Sequence, residues 1–473
     1  MNLTCSPAVP TDAGMIFDLC QALIDEYEDI SSIDYAAVLA WVRRKIDKNI
    51  TQYRRILCDG AHAGFYRLCP EGDGWELDDL YVFPEFRNRG IGTAVIRHCC
   101  AQGPVMLYVF TKNTGALSLY RRLGFREVGT AGTTRLILRK EQVMKIRKPA
   151  YFDTFRCIAG ACPDSCCKEW DVLVDDDSAA FYRALPGELG DRLRAVLKDE
   201  DGDTVMTIID RRCPMWRTDG LCDIQAALGH DALCKTCREF PRLTHDYGDF
   251  IEYGLELSCP EAARIILSSP ADWVEEETPG GEAEYDGEAM EVLLRTRDAA
   301  RALLKNTDRS VSETLAALLL YGYQAQDELD GGEETPFDAE AALESAAPFA
   351  KNGDETLMVD FFKDLEILTP QWQTRLDAPA PGEWSAAYLT LARYFVDRYW
   401  LQAVSDYDLV SRVKLVVISC LMIRHLGGSL LETAQSYSKE IENDADNVDA
   451  LLDAAYTSPA FTDEKLLDLL LKK

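Results

Sequence analysis

The sequence has 473 residues, 47% of them hydrophobic, and this length is too great for a single hydrophobic core. Its formal net charge of −30 comes from 50 basic and 80 acidic residues, which argues against binding to nucleic acid or to anionic membrane surfaces. The N-terminus lacks the pattern of a secretion signal, and the best apolar run, residues 413–423, is shorter than a membrane span. We therefore predict a multidomain cytoplasmic protein in which residues 413–423 form a buried helix.

Residues 1–142 alternate between helical and strand patterns. Apolar spacing predicts helices over 11–27 and 35–46, followed by strands at 53–58, 63–69 and 75–83. A glycine-containing turn then enters a helix that ends near residue 100. The remaining predicted elements are a strand at 105–110, a helix at 116–125 and a strand at 134–139. Strands that alternate with helices imply a domain built on a sheet, which we bound at residues 1–142.

The turn at residues 87–92 reads RNRGIG and lies between a strand and a helix. A helix N-terminus exposes unpaired N–H groups, and glycines there let a diphosphate approach the backbone closely. Arg87 and Arg89 add positive charge beside Gly90 and Gly92. By itself the pattern is also typical of a basic turn without a ligand.

A second motif, NTGALSLYRRLGF, occupies residues 113–125. Together with RNRGIG it resembles the GCN5-related N-acetyltransferase (GNAT) family, and the resemblance covers nearly all of residues 1–140. It implies acetyl-CoA as the cofactor, Tyr120 as the acid that protonates the departing thiolate, and Glu76 as the base, with Asp78 and Asp79 as alternatives. The resemblance also implies that the cofactor is bound by Val82, Arg87, Arg89, Gly90, Ile91, Gly92, Thr93 and Asn113.

Nine of the sixteen cysteines lie between residues 157 and 259. In a reducing compartment, clustered thiolates favour a metal site over disulfides. Four thiolates satisfy one tetrahedral zinc ion or one [4Fe–4S] cluster, so nine exceed a single site. Adjacent Cys166 and Cys167 point in different directions, which makes joint ligation of one ion strained. The predicted ligands are drawn from Cys166, Cys167, Cys213, Cys222, Cys234 and Cys237, with Cys157, Cys162 and Cys259 in reserve.

The segments around these cysteines are YFDTFRCIAGACPDSCCKEWDVLVD, CPMWRTDGLCDIQAALGHDALCKTCREFPR and ELSCPEAAR. They resemble the flagellin lysine-N-methylase family, starting near Met144 and continuing into the C-terminal region. The resemblance implies methylation of lysines on flagellin, with S-adenosylmethionine (SAM) as donor and an iron–sulfur cluster, [4Fe–4S], as cofactor; zinc is the alternative. Neither a Rossmann loop nor the radical-SAM spacing C-x3-C-x2-C is present in residues 144–473. Nearby candidates for a base that deprotonates lysine are Asp171, Asp223, His230 and Glu239.

Beyond residue 270 the pattern is helical throughout. Apolar residues at i, i+3 and i+4 predict helices over 317–325, 357–368, 386–404 and 409–423. The predicted fold class is therefore an α+β multidomain protein: a GNAT mixed sheet with helices, a cysteine-rich metal or cluster region, and a mostly helical C-terminal region. The predicted domains are residues 1–142, 143–270 and 271–473.

These resemblances together predict a bifunctional enzyme, an N-acyltransferase joined to an iron–sulfur protein-lysine methylase. One alternative is an acetyltransferase whose C-terminal half is a non-catalytic, metal-stabilised module that binds the substrate. Another is a metal or redox sensor that controls the acetyltransferase. The predicted partner is a protein with exposed lysines, with flagellin named by resemblance alone; neither nucleic acid nor membrane is expected, and the oligomeric state stays open.

Overall fold

The computed structural model describes residues 3–141, 143–170, 172–200, 202–270, 272–279, 283, 285–306 and 308–472. The chain forms two compact units. The first comprises Met1–Lys145, Gly248–Phe250 and Glu277–Glu284, and the second comprises Ile146–Tyr247, Ile251–Glu276 and Tyr285–Lys473. Most residues assigned to the cysteine-rich and helical regions thus share one unit, and the three-part division at residues 142 and 270 stays a prediction.

The first unit is built on a seven-stranded sheet with the order β1-β2-β3-β4-β5-β7-β6. Every pair of neighbours is antiparallel except β4 and β5, which run parallel. Its strands are β1 (Leu3–Pro7), β2 (Tyr53–Cys58), β3 (Ala61–Glu71), β4 (Gly74–Val82), β5 (Val105–Phe110), β6 (Arg126–Ala131) and β7 (Arg135–Lys140). Its helices are α1 (Ala13–Tyr27), α2 (Tyr35–Asn49), α3 (Ile91–Cys100) and α4 (Thr114–Arg122).

Two hydrophobic cores cover the two faces of this sheet. Residues of α3 and α4 pack with Leu77 and Leu107 on one face, and residues of α1 and α2 pack with Tyr53 and Phe65 on the other. The predicted strands and helices are present, but the sequence prediction omitted β1 and β6. Both are edge strands with few buried residues, so they lack the alternation of apolar and polar residues that identifies a strand.

The cysteine-rich part of the second unit consists of short elements joined by irregular segments. A three-stranded sheet has the order β10-β11-β9, and a four-stranded sheet has the order β12-β13-β8-β14. The strands are β8 (Val143–Pro149), β9 (Val172–Val174), β10 (Leu197–Glu200), β11 (Asp203–Met206), β12 (Arg242–Asp246), β13 (Phe250–Leu255) and β14 (Trp273–Pro279). The helices are α5 (Asp176–Ala184), α6 (Gly187–Val196), α7 (Asp223–Leu228), α8 (Lys235–Glu239) and α9 (Pro260–Ser268).

The rest of the second unit is helical and surrounds one central helix. All of α16 is buried, which confirms the prediction of a buried helix at residues 413–423. No described helix has the length and apolar character that crossing a membrane requires. The helices are α10 (Gly287–Lys305), α11 (Val311–Leu329), α12 (Ala339–Ala346), α13 (Thr356–Asp364), α14 (Pro370–Asp377), α15 (Ala387–Tyr399), α16 (Leu409–Leu426), α17 (Leu430–Tyr437), α18 (Ala445–Thr457) and α19 (Asp463–Leu471).

The helix predicted over residues 357–368 is shorter in the structure, because α13 ends at Asp364. The N–H groups of Leu368 and Thr369 donate to the Glu440 carboxylate at 2.8 and 3.3 Å, and this buried acceptor replaces the helical carbonyl groups. Glu440 lies in a π-helical turn, Ser438–Glu442, that follows α17. The predicted fold class is confirmed: an α+β protein with a mixed sheet near its start and a largely helical C-terminal region.

Candidate active site and candidate metal centre

In the first unit, the parallel strands β4 and β5 pair at only one end. The recorded pairs are Trp75 with Val105 and Glu76 with Met106, close to the start of both strands. Both strands continue well beyond these pairs, so they separate toward their carboxyl ends. Main-chain groups on the separated edges can therefore pair with a ligand that enters the gap.

The turn between β4 and α3 contains most of the residues predicted to bind the cofactor. Gly90 caps α3 with a φ of 80°, a left-handed conformation that glycine adopts without steric cost. The Ala94 N–H donates to the Gly90 carbonyl oxygen at 3.0 Å, so the N–H groups of residues 91–93 precede the first helical bond and face the turn. Together with the helix dipole, they form a site for an anion.

The two predicted arginines precede the start of this helix, and both are exposed. The Arg87 Nε donates to the Val82 carbonyl oxygen at 3.0 Å, while the Arg89 guanidinium lies over the Phe86 ring. Ile91 is buried in the core beneath α3, so only its main chain is available to a ligand. The structure thus brings together Val82, Arg87, Arg89, Gly90, Ile91, Gly92 and Thr93.

Two carboxylates of β4 lie close to two cations from neighbouring elements. Glu76 and Asp78 lie on the face of the strand opposite Leu77, which packs beneath α3. Arg67 on β3 contacts both carboxylates, with its Nη2 3.7 Å from Glu76 Oε2 and 3.0 Å from Asp78 Oδ2. Lys45 on α2 adds a second cation, 2.9 Å from Asp78 Oδ2. Sequence reasoning missed both cations, because neither belongs to a motif.

The charged neighbours and burial shift the pKa values of Glu76 and Asp78 in opposite directions. Burial raises the pKa of Glu76, the charge of Asp78 raises it further, and Arg67 opposes this. Burial also acts on Asp78, but Lys45 and Arg67 outweigh it and hold the pKa of Asp78 below its usual value. Glu76 is therefore the more basic carboxylate, and Asp78 is the one that stays ionised.

Asp79, the second alternative base, lies at a bulge where the register between β3 and β4 shifts, and its φ is 50°. Its carboxylate is 2.7 Å from Lys45 Nζ and accepts a hydrogen bond from the Tyr53 hydroxyl. Burial raises the pKa of Asp79, and the charge of Asp78 adds to the rise. The contacts of Glu76 are longer, with Arg67 Nη2 at 3.7 Å and the Cys69 thiol at 3.6 Å, so Glu76 is the better placed candidate for an external proton.

Two further predicted residues lie on α4. Asn113 caps the helix, since its Oδ1 accepts from the Ala116 N–H at 3.1 Å, which leaves its amide N–H groups to donate to a ligand. Tyr120 packs on the core with its ring 5.6 Å from that of Phe125. Burial raises the pKa of Tyr120 to about 12. The hydroxyl therefore carries its proton at neutral pH, as a general acid must.

The cysteine-rich part of the second unit contains a cavity of about 360 Å³. This volume falls within the range of about 300–1,000 Å³ that is usual for cofactor and small-molecule sites. All nine predicted cysteines line it, and they come from four separate segments of the chain: Cys157, Cys162, Cys166, Cys167, Cys213, Cys222, Cys234, Cys237 and Cys259.

Two of these segments meet at a pair of glycines. A Cβ atom on Gly220 would lie 2.8 Å from Gly160 Cα, and one on Gly160 would lie 2.8 Å from the Asp219 carbonyl oxygen. Any side chain here would push the segments apart. The Cys213 N–H also donates to the Cys167 carbonyl oxygen at 2.9 Å. These contacts allow segments some fifty residues apart in sequence to wall one cavity.

The thiols interact with one another inside the cavity. Hydrogen bonds from Cys166 and Cys213 lower the pKa of Cys167 and raise the pKa of both donors. In the same way, Cys237 lowers the pKa of Cys234. The walls therefore favour thiolates at two separate points, and the thiolate is the form of cysteine that binds metals.

One cavity residue comes from the helical part of the unit. Lys439 is buried in the π-helical turn after α17, with its Nζ 3.0 Å from Asp164 Oδ2 and 2.8 Å from Glu169 Oε2. The neighbouring Gln435 donates to the same Asp164 oxygen and to the Ser258 carbonyl oxygen. Sequence reasoning missed Lys439, because 275 positions separate it from Asp164 and it belongs to no motif. π-Helical turns are frequent at functional sites, and this is the one general feature that points to Lys439.

The candidate bases near the cysteines differ in whether they contact the cavity. His230 lines the cavity. Asp223 is paired with Arg192 at 2.7 Å, and Glu239 is exposed on the short helix α8. Asp171 lies outside the described residues. Of the described candidates, His230 is thus the one in contact with the cavity.

In the part of the chain that the structure describes, no three side chains of His, Cys, Asp or Glu have the arrangement that holds a metal ion. A tetrahedral zinc ion with Zn–S bonds of about 2.3 Å would place its thiolates about 3.8 Å apart. An iron–sulfur cluster spaces its ligands more widely, because each thiolate binds a different iron. The nine thiols that line the cavity are soft donors, which suit zinc and iron–sulfur clusters alike.

Comparison with known proteins gives matches of two kinds. Residues 52–127 match the family model described as an acetyltransferase (GNAT) domain. The crystal structure of a PaiA N-acetyltransferase from Thermoplasma acidophilum in complex with coenzyme A is similar at 18% identity and a TM-score of 0.25, covering 30% of this chain and 99% of that one.

The matches of the second kind are a flagellar protein and lysine-N-methylases. The flagellar biosynthetic protein FliU of Salmonella muenchen is 32% identical over 135 residues, which are 26% of this chain and 78% of that protein. The lysine-N-methylase of Salmonella typhimurium is 31% identical over 135 residues, 26% of this chain. The match spans 33% of the length of that methylase.

These matches define the class of the protein. It is a transferase that contains a GNAT acetyltransferase domain, as the sequence predicted. The chain belongs to the family of the flagellar protein FliU and the lysine-N-methylases, which confirms the second predicted resemblance.

Proposed function

We propose that the protein is a bifunctional transferase, in which the first unit is an acetyl-CoA-dependent N-acyltransferase and the second is a SAM-dependent, iron–sulfur protein-lysine N-methylase. The observation that carries the proposal is the convergence of all nine cysteines on one cavity, in a chain that also contains a GNAT domain. Both reactions modify amines, so one protein with exposed lysines, such as flagellin, can serve both. A cytoplasmic location belongs to the same proposal, as does the absence of nucleic-acid and membrane partners.

In the acetyl-transfer reaction, the first unit binds the pyrophosphate of acetyl-CoA at the start of α3. Glu76 accepts a proton from the substrate ammonium, and the neutral nitrogen attacks the thioester carbon. Main-chain N–H groups on the separated edge of β4 are placed to stabilise the oxyanion. The C–S bond then breaks, Tyr120 donates its proton to the departing sulfur, and the second proton of the attacking nitrogen returns to the Tyr120 oxygen, which leaves the amide and the free thiol of coenzyme A. The different pKa values of Glu76 and Tyr120 suit these opposite roles.

In the methyl-transfer reaction, the cysteines that line the cavity would hold the cluster, which would supply a site to bind and polarise SAM. His230 lines the same cavity and can take the proton from the substrate lysine. Lys439 and its partners Asp164 and Glu169 fix the wall of the cavity and exclude water from that side.

One experiment tests both halves of the proposal. Full-length protein is purified without oxygen and incubated with flagellin and either acetyl-CoA or SAM, and the lysine adducts are identified by mass spectrometry. We expect both adducts in the wild type, loss of the acetyl adduct alone in Tyr120→Phe, and loss of the methyl adduct alone in Cys213→Ser. An acetyl adduct with no methyl adduct, from protein that contains its metal, would identify the second unit as a non-catalytic binding module.

A further inference from the structure

We infer that the acetyl acceptor enters the first unit between two exposed aromatic residues, Trp41 and Tyr108, and that their rings select an ammonium group carried on an unbranched alkyl chain, as in the lysine side chain. The inference rests on the proposed acetyl transfer. It extends that proposal from the base Glu76 to the residues that contact the substrate.

The two residues differ from the other aromatic residues around them by their exposure. Trp41 on α2 is 55% exposed and Tyr108 on β5 is 42% exposed, and no other aromatic residue in the described range 3–141 is exposed to that extent. Burying a large apolar side chain contributes about 1.5–3 kcal/mol, so an exposed ring forgoes this stabilisation. Single exposed apolar residues are common, and the position of these two gives them their meaning.

Tyr108 lies beside the point where β4 and β5 separate. The last recorded pair of these strands joins Glu76 with Met106, and Asp78 and Tyr108 follow two residues later on each strand. Side chains alternate between the faces of a sheet, so Tyr108 shares the face of Glu76, while Leu107 is buried on the other face. Burial raises the pKa of Tyr108, and the charge of Glu76 raises it further, which agrees with this placement.

Trp41 reaches the same region from α2. Lys45, four residues further along the helix and therefore on the same side of it, has its Nζ 5.5 Å from the centre of the Trp41 ring. The same Nζ lies 2.9 Å from Asp78 Oδ2. Trp41 and Tyr108 thus flank the carboxylates of β4 from two different elements.

The two rings suit an ammonium group on an alkyl chain. The face of an aromatic ring attracts a cation by about 0.5–1 kcal/mol at exposed sites, and its apolar surface can cover methylene groups. A lysine ε-amine, with a usual pKa of about 10.4, arrives charged and on four methylenes. A peptide α-amine, with a usual pKa of about 7.7–8.0, arrives partly neutral and attached to a branched carbon, so it gains less from the rings.

The ion pairs beside the rings favour the same kind of substrate. Three carboxylates, Glu76, Asp78 and Asp79, share two cations, Lys45 and Arg67, which leaves a net negative charge when all of them are ionised. Such a surface attracts an ammonium group and repels an acceptor that carries a carboxylate or a phosphate next to its amine. A lysine side chain within a polypeptide has no such neighbouring group.

Steady-state kinetics of the full chain with acetyl-CoA test the inference. One peptide has a blocked N-terminus and a single lysine, and the other has a free α-amine and no lysine. For the lysine peptide we expect KM to rise about 5-fold in Trp41→Ala and in Tyr108→Ala, with kcat changed less than about twofold, because the rings bind the substrate without entering the chemistry. Trp41→Phe and Tyr108→Phe keep an aromatic face and should recover most of the loss. KM for the α-amine peptide should change little.

Met15→Ala is the matched control. Met15 is 48% exposed at the start of α1, where Asp12 pairs with Arg55 of β2, away from the opening between β4 and β5. An unchanged KM in the double variant Trp41→Ala/Tyr108→Ala, or a wild type that prefers the α-amine peptide, would overturn the inference and leave acetyl transfer intact. A weaker affinity for acetyl-CoA in the double variant would also overturn it, by placing the rings in the cofactor site. Wild-type protein that binds acetyl-CoA and acetylates neither peptide would overturn the proposed acetyl transfer as well.

Discussion

The two candidate sites are held in place by different means. In the first unit the anion site consists of main-chain groups, fixed by a glycine at φ 80° and by the hydrogen bonds of a sheet and a helix. In the second unit the cavity is lined by cysteines from four segments, and few of these cysteines lie in helices or strands. The first site is therefore preorganised, whereas the second depends on side chains that repel one another once they ionise.

This difference implies a different dependence on the bound group. A preorganised backbone site contributes little to folding when its ligand binds, because the fold already fixes its geometry. Thiols from distant segments gain order when a metal joins them, so the binding free energy also stabilises the fold. The predictions below test this contrast, starting with the largest expected effect.

Removing the bound iron should destabilise the second unit selectively. We expect its free energy of unfolding to fall by more than about 5 kcal/mol, since even structural zinc in small zinc-finger peptides contributes about 10–16 kcal/mol to folding. Denaturant titration of holo and chelator-treated protein under anaerobic conditions measures the change, and acetyl transfer monitors the first unit. An equal loss in both units, or none in either, would contradict the contrast.

A second change should destabilise the same unit without touching the iron. Arg297 and Glu252 form a bidentate ion pair with both N–O distances at 2.6 Å, and their side chains are 2% and 4% exposed. Glu252→Gln leaves the arginine charge buried without a partner, which should cost about 3–5 kcal/mol.

The matched control for this variant is Glu261→Gln, whose partner Arg264 is 56% exposed. Pairs of that kind contribute at most about 1 kcal/mol. Thermal unfolding and iron content are measured together. If Glu252→Gln also lost its iron while remaining folded, the ion pair and the cavity would be coupled, and the simple contrast between a packed region and a metal-dependent region would be wrong.

Glu76→Gln tests the preorganised site. We expect kcat/KM for acetyl transfer to fall about 100-fold, which is the lower end of the contribution of a general base. The affinity for acetyl-CoA should stay unchanged, because the anion site is formed by main-chain groups. Burial raises the pKa of Glu76, so in the wild type the rate should decline as pH falls through that raised pKa. A variant that kept this acidic limb would place the base elsewhere.

The sequence predicted the first site better than the second, for a physical reason. Gly90 and Asn113 mark local structures, a left-handed turn and a helix cap, that depend on a few consecutive residues. Lys45 and Arg67 are close to Glu76 only because the helix α2 and the strand β3 pack as they do. No local pattern reports such tertiary proximity.

In the second unit, cysteine spacing indicated a metal site but not the cavity that its thiols line. That cysteines as far apart as Cys157 and Cys259 line one cavity depends on how the intervening segments fold back. Lys439 could not be found at all, because its importance comes from a contact across 275 positions. The sequence thus predicted which residue types could bind a metal, but not which distant residues the fold brings together.

The smallest expected effect concerns Asp78, and it tests how the first site sets its own pH dependence. The negative charge of Asp78 raises the pKa of Glu76, so Asp78→Asn should lower it. The acidic limb of the acetyl-transfer profile should then move to lower pH. Arg67, freed from one carboxylate, acts in the same direction. Glu71→Gln is the matched control, since Glu71 has the weakest of the named influences on Glu76 and should shift the limb less. A limb that stayed in place, or moved to higher pH, would mean that Glu76 is not the group whose ionisation limits the rate.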